Sequence, residues 1–385
     1  MKKPVHKLLV LLLSAAVLPA LVCCCQKPSE EETSGGQENQ TDPGNQTDPV
    51  DQPATVAVPD FARGADVSWV SEMEHDGKTF RTADGTVADI FEVLKETGMN
   101  SIRLRVWVNP TGGWSGKDDC VALAKRATAA GMAVMIDFHY SDFFADPSRQ
   151  DFPKDWASDK SDLQKTVAHV QEHTNDVLLA LKSEGVSPAW IQVGNETRNG
   201  FLWPLGQLWA YQGSTPGGWG NFAQLYSAGY SAAKAVFPDA LVMPHINNAY
   251  DDNDWWFKEL KARSCKFDAI ALSHYPQTNS KMTPEQMNAS AFTRIKTLAA
   301  TYGVPVLISE TGVKFSTESE SAAVLKAFMD GVTAIPQCEG VFYWEPEVYG
   351  WWKPSVYTTL GWNAYDMGAF NSNGKASSIL NAFKQ

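Results

Sequence analysis

Residues 190–200 read WIQVGNETRNG. An apolar run with β-branched members, Trp190, Ile191 and Val193, stops at Gly194, and Asn195-Glu196 follow at once. A short apolar run closed by glycine has the pattern of a buried strand. Glu196 therefore stands just past a strand end, an unusual place for a purely structural charge.

Seven other runs share this pattern, at 65–69, 101–108, 133–140, 241–246, 269–275, 306–309 and 340–344. Helical patterns lie between them at 87–96, 120–130, 162–183, 222–236, 255–263, 284–302 and 321–331, with a last one near 377–383. Strands that alternate with helices imply parallel βα units. Eight such units predict an α/β fold of the closed (β/α)8, or TIM, barrel type in a single catalytic domain. The links support this. Helix-to-strand links are short (97–100, 131–132, 302–305), whereas strand-to-helix links are long (141–160, 195–220, 345–376). Barrel enzymes build their sites from the long loops after the strands. An open, doubly wound sheet is the alternative. It calls for a glycine-rich phosphate turn after the first strand, which GADVSWV at 64–70 does not supply.

The seventh strand pattern, PVLISE at 305–310, ends on a second carboxylate, Glu310. Strands 4 and 7 of a barrel face each other across its mouth. Two carboxyl groups flanking one cleft match the needs of glycosidic bond hydrolysis: one protonates the departing oxygen, the other attacks the anomeric carbon or activates water. The alternative is a pair of structural carboxylates, each bridged to a barrel arginine such as Arg103 or Arg105.

The chain has 385 residues and a net charge of -12, which argues against nucleic acid or an anionic membrane surface as partner. Fourteen Trp exceed the ordinary needs of a core. Flat indoles stack on sugar rings, so Trp203, Trp209, Trp219, Trp351 and Trp352, all in long loops, are expected to line a groove. Of the six cysteines, Cys120, Cys265 and Cys338 lack metal-ligand spacing and read as small buried residues, with one disulfide as an alternative.

Residues 1–25 form a targeting segment. Lys2, Lys3 and Lys7 precede an apolar stretch at 8–21 and then Cys23-Cys24-Cys25. The apolar stretch is too short for a stable membrane span. It resembles a bacterial lipoprotein signal, with Cys24 as the expected lipidated residue, and the acidic run at 29–32 resembles the export tag of Bacteroides-like surface lipoproteins. Residues 26–57 are polar, rich in Pro and Gly, and repeat NQTDP, as a disordered linker does. Residues 58–385 are the catalytic domain. The expected location is lipid-anchored at the cell surface or outer membrane, with the domain extracytoplasmic and monomeric.

The segments GADVSWV (64–70), IRLRVWVNP (102–110), DFHYSDFFADPSRQDFPKDW (137–156), WIQVGNE (190–196), ISETG (308–312) and GVFYWEP (340–346) resemble the endo-β-1,4-galactanases of glycoside hydrolase family 53. The resemblance implies Glu196 as acid/base and Glu310 as nucleophile of a retaining reaction. It implies Asn195 as ligand of the sugar 2-hydroxyl, Arg103 as the group holding the nucleophile ionised, and Tyr275 as its hydrogen-bond donor. Asp137, His139 and Trp344 would shape the subsite where the bond breaks. The polysaccharide substrate would be β-1,4-galactan, and no cofactor is implied. Two departures stand out. His274 occupies a position usually aromatic and is expected to alter a neighbouring contact. TGVKFSTESESAA (311–323) lacks the Asp-rich calcium loop of bacterial members, so no metal is expected. The run 251–254 is DDND, where Asp254 reads as a helix N-cap. A mannanase or cellulase, or a non-catalytic surface glycan-binding lipoprotein, are the alternatives.

Overall fold

The computed structural model describes residues 56–354, 357 and 365–384; the expected signal segment and almost all of the linker lie outside them. Eight parallel strands surround a central axis: β1 (Ala62–Asp66), β2 (Ser101–Val106), β3 (Ala133–Phe138), β4 (Trp190–Val193), β5 (Leu241–Met243 and His245–Ile246), β6 (Ile270–His274), β7 (Val306–Thr311) and β8 (Cys338–Trp344). β8 pairs with β1, which closes one seam. The other seam runs through β5. Its first piece pairs with β4 and its second with β6. Only Pro244 separates the pieces, because proline has no N–H to give to the ladder. Pro244 still accepts a hydrogen bond from the Ala271 N–H (3.1 Å). The expected (β/α)8 barrel is therefore present and closed.

Helices α1 (Ile90–Glu96), α2 (Lys117–Ala129), α3 (Leu163–Ser183), α4 (Gly218–Val236), α5 (Asp254–Ala262), α6 (Pro284–Tyr302) and α7 (Glu318–Thr333) follow strands 1 to 7. Several boundaries differ from expectation. The first strand lies three residues earlier than 65–69. The helix expected from 87 begins at Ile90, because Val87–Ala88 pairs with Phe80–Arg81 and Asp89 then caps the Phe91 N–H. The eighth helical unit is a 3-10 turn, Ser378–Phe383. Asp254 is the first residue of α5 rather than its cap; its carboxylate binds Lys258 and the Tyr302 hydroxyl instead. Cys120, Cys265 and Cys338 are buried and free.

The barrel interior has two tiers, and the two-residue period of the strands builds both. On the lower tier Met135, Trp190, Met243, Leu307 and Phe342 pack as an apolar plug. Gly64 makes room for it: a Cβ there would lie 2.1 Å from the Phe342 ring. Two residues further along the same strands the side chains turn polar. Met135 gives way to Asp137, Trp190 to Gln192 and Met243 to His245, all fully buried. Among the described residues this plug fills the bottom, so the polar tier above it opens toward the carboxyl ends of the strands. Among the described residues no helix is long and apolar enough to cross a membrane.

Candidate active site

Glu196 reaches the barrel mouth through a strained turn. Gly194 has φ 84° and Glu196 φ 46°, both left-handed. Glycine tolerates this, whereas glutamate does so at a cost of about 1–2 kcal/mol. A Cβ on Gly194 would also lie 2.5 Å from the Thr197 methyl. The turn is held by His245, whose Nδ1 accepts the Glu196 backbone N–H (3.2 Å).

Glu310 arrives by a different device. Leu307 points into the barrel, so strict alternation sends Ser309 inward and Glu310 outward. The structure turns Glu310 inward instead, because one residue is extra: Leu272 of β6 faces Ile308, but the next residue, Ser273, faces Glu310. Ser309 is the bulged residue, and a bulge re-aims the side chain that follows.

The two carboxyls meet. One oxygen of each, together with a His245 nitrogen, lies within 4.8 Å of the others. Their partners differ. Glu310 accepts hydrogen bonds from Arg103 Nη2 (2.9 Å) and from the Tyr275 hydroxyl (2.9 Å). Glu196 accepts one from the Ser273 hydroxyl (2.6 Å), and Ser273 Oγ in turn lies 2.8 Å from His245 Nε2. Since His245 Nδ1 is an acceptor, its proton sits on Nε2. A chain of donors thus runs His245 to Ser273 to Glu196.

These partners order the two ionisations. Burial pushes Glu310 up to about 7, against the opposing pull of Arg103 and Tyr275. Burial and then the negative charge of Glu310 push Glu196 well above the usual carboxylate range, with Ser273 opposing. Among the described residues Glu310 has a guanidinium in contact and Glu196 has none, so Glu310 loses its proton first. At that point one carboxylate and one carboxylic acid face the same cleft.

Arg103 and Asp137 sit beneath the cleft, 1% and 0% exposed. The guanidinium binds Asp66 (2.7 Å), Asp137 (2.8 Å) and Asn195 Oδ1 (2.8 Å) besides Glu310. Asp137 spends both oxygens on Arg103, His139 and Gln192. Asp137, buried with both oxygens engaged, and Arg103, which meets Glu310 through Nη2, therefore act on the cleft through Glu310, Asn195 and His139. Against its burial, Arg103 and His139 keep the Asp137 pKa below its ordinary value. His139 donates from Nε2 to Asp137 and accepts at Nδ1 from Trp107 and from the Ala145 N–H. That second bond fixes the loop after β3, whose Phe144, Ala145 and Asp146 wall the cavity. Asn195 donates to the Ala145 carbonyl (2.8 Å), which leaves its second amide hydrogen for a ligand.

The cavity holds about 220 Å³, with Trp344 on the wall opposite Glu196's strand. Trp344 meets Tyr365 and Tyr275 edge to face at 4.9 and 6.4 Å. The Glu196, His245 and Glu310 group is compact enough for an ion. It does not suit one, because the Arg103 guanidinium already occupies the cation position on Glu310 and both His245 nitrogens are hydrogen-bonded. Arg105 does not serve the pair. It pairs with Glu345 (2.7 Å) and lies over Trp69 and Phe144.

Residues 62–323 match the sequence profile of Glycosyl hydrolase family 53. The chain belongs to that family. An arabinogalactan endo-β-1,4-galactanase from Thermothelomyces thermophilus is 30% identical over 84% of this chain and 98% of its own. A solved fungal β-1,4-galactanase is 29% identical, with a TM-score of 0.71 over 84% of this chain and 99% of that one. The family 53 catalytic domain from Ignisphaera aggregans superposes with a TM-score of 0.72 at 28% identity, over 86% of this chain and 99% of that one. This family 53 chain is therefore a glycoside hydrolase, and the non-catalytic glycan-binding alternative falls.

Gln192, His245 and Ser273 were not singled out from the sequence. The signal was there for the first two, as a polar residue at the inward phase of an apolar strand. Other expectations changed. Trp352 is 7% exposed and packs on Trp69, so it belongs to the core and not to a groove. His274 faces the helices, bound to Asn288 and packed on Phe328, away from the cleft.

Proposed function

We propose that the chain hydrolyses β-1,4-galactosidic bonds within galactan and type I arabinogalactan side chains of pectin, in endo mode and with retention. One observation carries the mechanism: two carboxyls within 4.8 Å whose partners differ, arginine on one and a hydroxyl on the other. Retaining glycosidases hold the pair about 5–5.5 Å apart, and inverting ones about 6.5–9.5 Å. Glu310 attacks the anomeric carbon while Glu196 protonates the departing oxygen. Esterified Glu310 has no charge, so the pKa of Glu196 falls, and Glu196 then takes a proton from the incoming water. Asn195 binds the 2-hydroxyl, and Trp344 packs on the sugar under attack. The substrate follows from the galactanases to which the chain is similar. Incubation of the full chain with linear β-1,4-galactan tests it: oligosaccharides precede galactose, and the first hemiacetal seen by NMR is β. Release of galactose alone, or a first α product, refutes the reading.

Ser273 contributes a pH signature. Its hydroxyl favours the ionised form of Glu196. Ser273→Ala removes that donor, raises the Glu196 pKa and moves the basic limb of kcat/KM to higher pH. Loss of one hydrogen bond to a charged group also lowers kcat/KM at the optimum by roughly tenfold. A basic limb that stays in place refutes the contact's role.

The lipoprotein reading belongs to this proposal. A basic start, an apolar stretch and Cys24 before a polar linker support an outer-membrane anchor that presents a monomeric domain outside the cytoplasm. Fractionation checks it: the Cys24→Ala chain leaves the membrane fraction, and retention there speaks against Cys24.

A further inference from the structure

Five large aromatic side chains among the described residues are exposed: Trp209, Tyr211, Trp255, Trp351 and Tyr365. Three of them gather around one residue, Asn199. Its side chain clamps the Trp209 backbone, accepting the N–H (2.9 Å) and donating to the carbonyl (3.2 Å). Its carbonyl accepts the Trp203 indole N–H (2.9 Å), and Trp203 packs on Tyr211. Trp255 joins from α5 with its ring centre 6.0 Å from that of Trp209. Arg198 lies over Trp255 and is held by Asn253 (2.7 Å) and Asp251 (3.4 Å).

This platform has a definite place in the reaction. Asn199 follows Glu196 by three residues, in the turn that leaves β4. The carbonyl of Arg198 also accepts the Trp256 indole N–H (3.0 Å), which ties the start of α5 to the same turn. The aromatic group is therefore rigidly attached to the acid/base side of the mouth, between the ends of β4 and β5. An acid that protonates the glycosidic oxygen faces the leaving group. The sugar under attack lies on the other side, against Trp344 and Tyr365.

We propose that Trp209 and Trp255 bind the galactan residues beyond the scissile bond, a leaving-group subsite outside the catalytic cavity. The inference rests on the galactanase reading above. Trp209 and Trp255 are 40% and 39% exposed, an arrangement that water penalises and a sugar face relieves. Galactose linked through its axial O4 keeps one apolar face, made by the hydrogens of C3, C4 and C5. The 53° tilt between the indoles suits successive rings of a chain that such a linkage bends. Arg198 and Asp251 supply polar groups at the edge.

The test uses full-length Trp209→Ala, Trp255→Ala and double variants with galacto-oligosaccharides of increasing length. In the parent, kcat/KM rises as residues are added on the leaving-group side. In the variants that increment shrinks by roughly tenfold, and the favoured cleavage site moves toward the reducing end. Cleavage positions and increments equal to the parent's overturn the proposal alone. A parent that does not cut galactan overturns the substrate reading and this proposal together. A concentration-dependent dimer abolished in the double variant also overturns it, because the platform then binds a second copy.

Discussion

Glu310→Ala is expected to lower galactan turnover by at least about 10⁴-fold without unfolding the chain, and azide is expected to restore part of it. The product is diagnostic. With Glu310 gone, azide attacks the anomeric carbon in a single displacement while Glu196 still acts as acid, which gives an α-galactosyl azide. In Glu196→Ala the nucleophile remains. A substrate with a good leaving group still forms the covalent galactosyl-enzyme, and azide resolves it to the β product. General acid catalysis contributes about 10²–10⁴-fold, so Glu196→Ala loses less on activated substrates than Glu310→Ala. Swapped azide anomers reverse the two assignments, and activity near the parent's in either variant removes that residue from the chemistry.

Arg103→Leu is expected to damage both stability and activity. The guanidinium is the common cation for Asp66, Asp137 and Glu310, all essentially buried. Removing one partner of a buried pair costs about 3–5 kcal/mol, since the stranded charges cannot return to water. That lowers Tm by roughly 5 °C in a domain of this size. Arg103 also opposes the burial that raises Glu310. Without it the Glu310 pKa climbs, and the acid limb of kcat/KM shifts to higher pH. Arg103→Lys keeps the charge but loses the planar fork that reaches Asp66 and Asp137 together. It should recover part of the stability and less of the activity. A Leu variant as stable and active as the parent sinks this account.

The barrel was legible because its causes are local. Apolar runs of four to six residues ending at Gly194 or Glu310, separated by helical periods, leave few other ways to bury both faces of each strand. Glu196 was legible for the same reason, as a carboxylate just past a buried run. The signature around Asp137 and His139 lies at the end of β3, but it does not say that His139 lines the cavity while Asp137 lies beneath it. Residue type alone does not tell a group that touches sugar from one that lies behind it, and in this fold Asp137 is covered by Arg103, His139 and Gln192.

Trp352 and Trp209 show the same limit from the other side. Both sit in long loops after strands, yet one packs on Trp69 and the other faces solvent. That difference depends on which distant residues approach them. Ser273 carries no sequence signal of its own; it matters because β6 brings it to 2.6 Å from Glu196 and 2.8 Å from His245.

By itself, then, the amino-acid order determined the strands, the barrel, and the presence of two glutamates at strand ends, because each follows from periodicity and punctuation along a few residues. Only the tertiary structure decided which way those glutamates point and which one keeps its proton. Strict alternation sends Glu310 away from the cleft; the bulge at Ser309, set by pairing with β6, turns it inward. The roles then follow from neighbours contributed by strands far apart in the chain: Arg103 from β2 beside Glu310, and Ser273 from β6 beside Glu196.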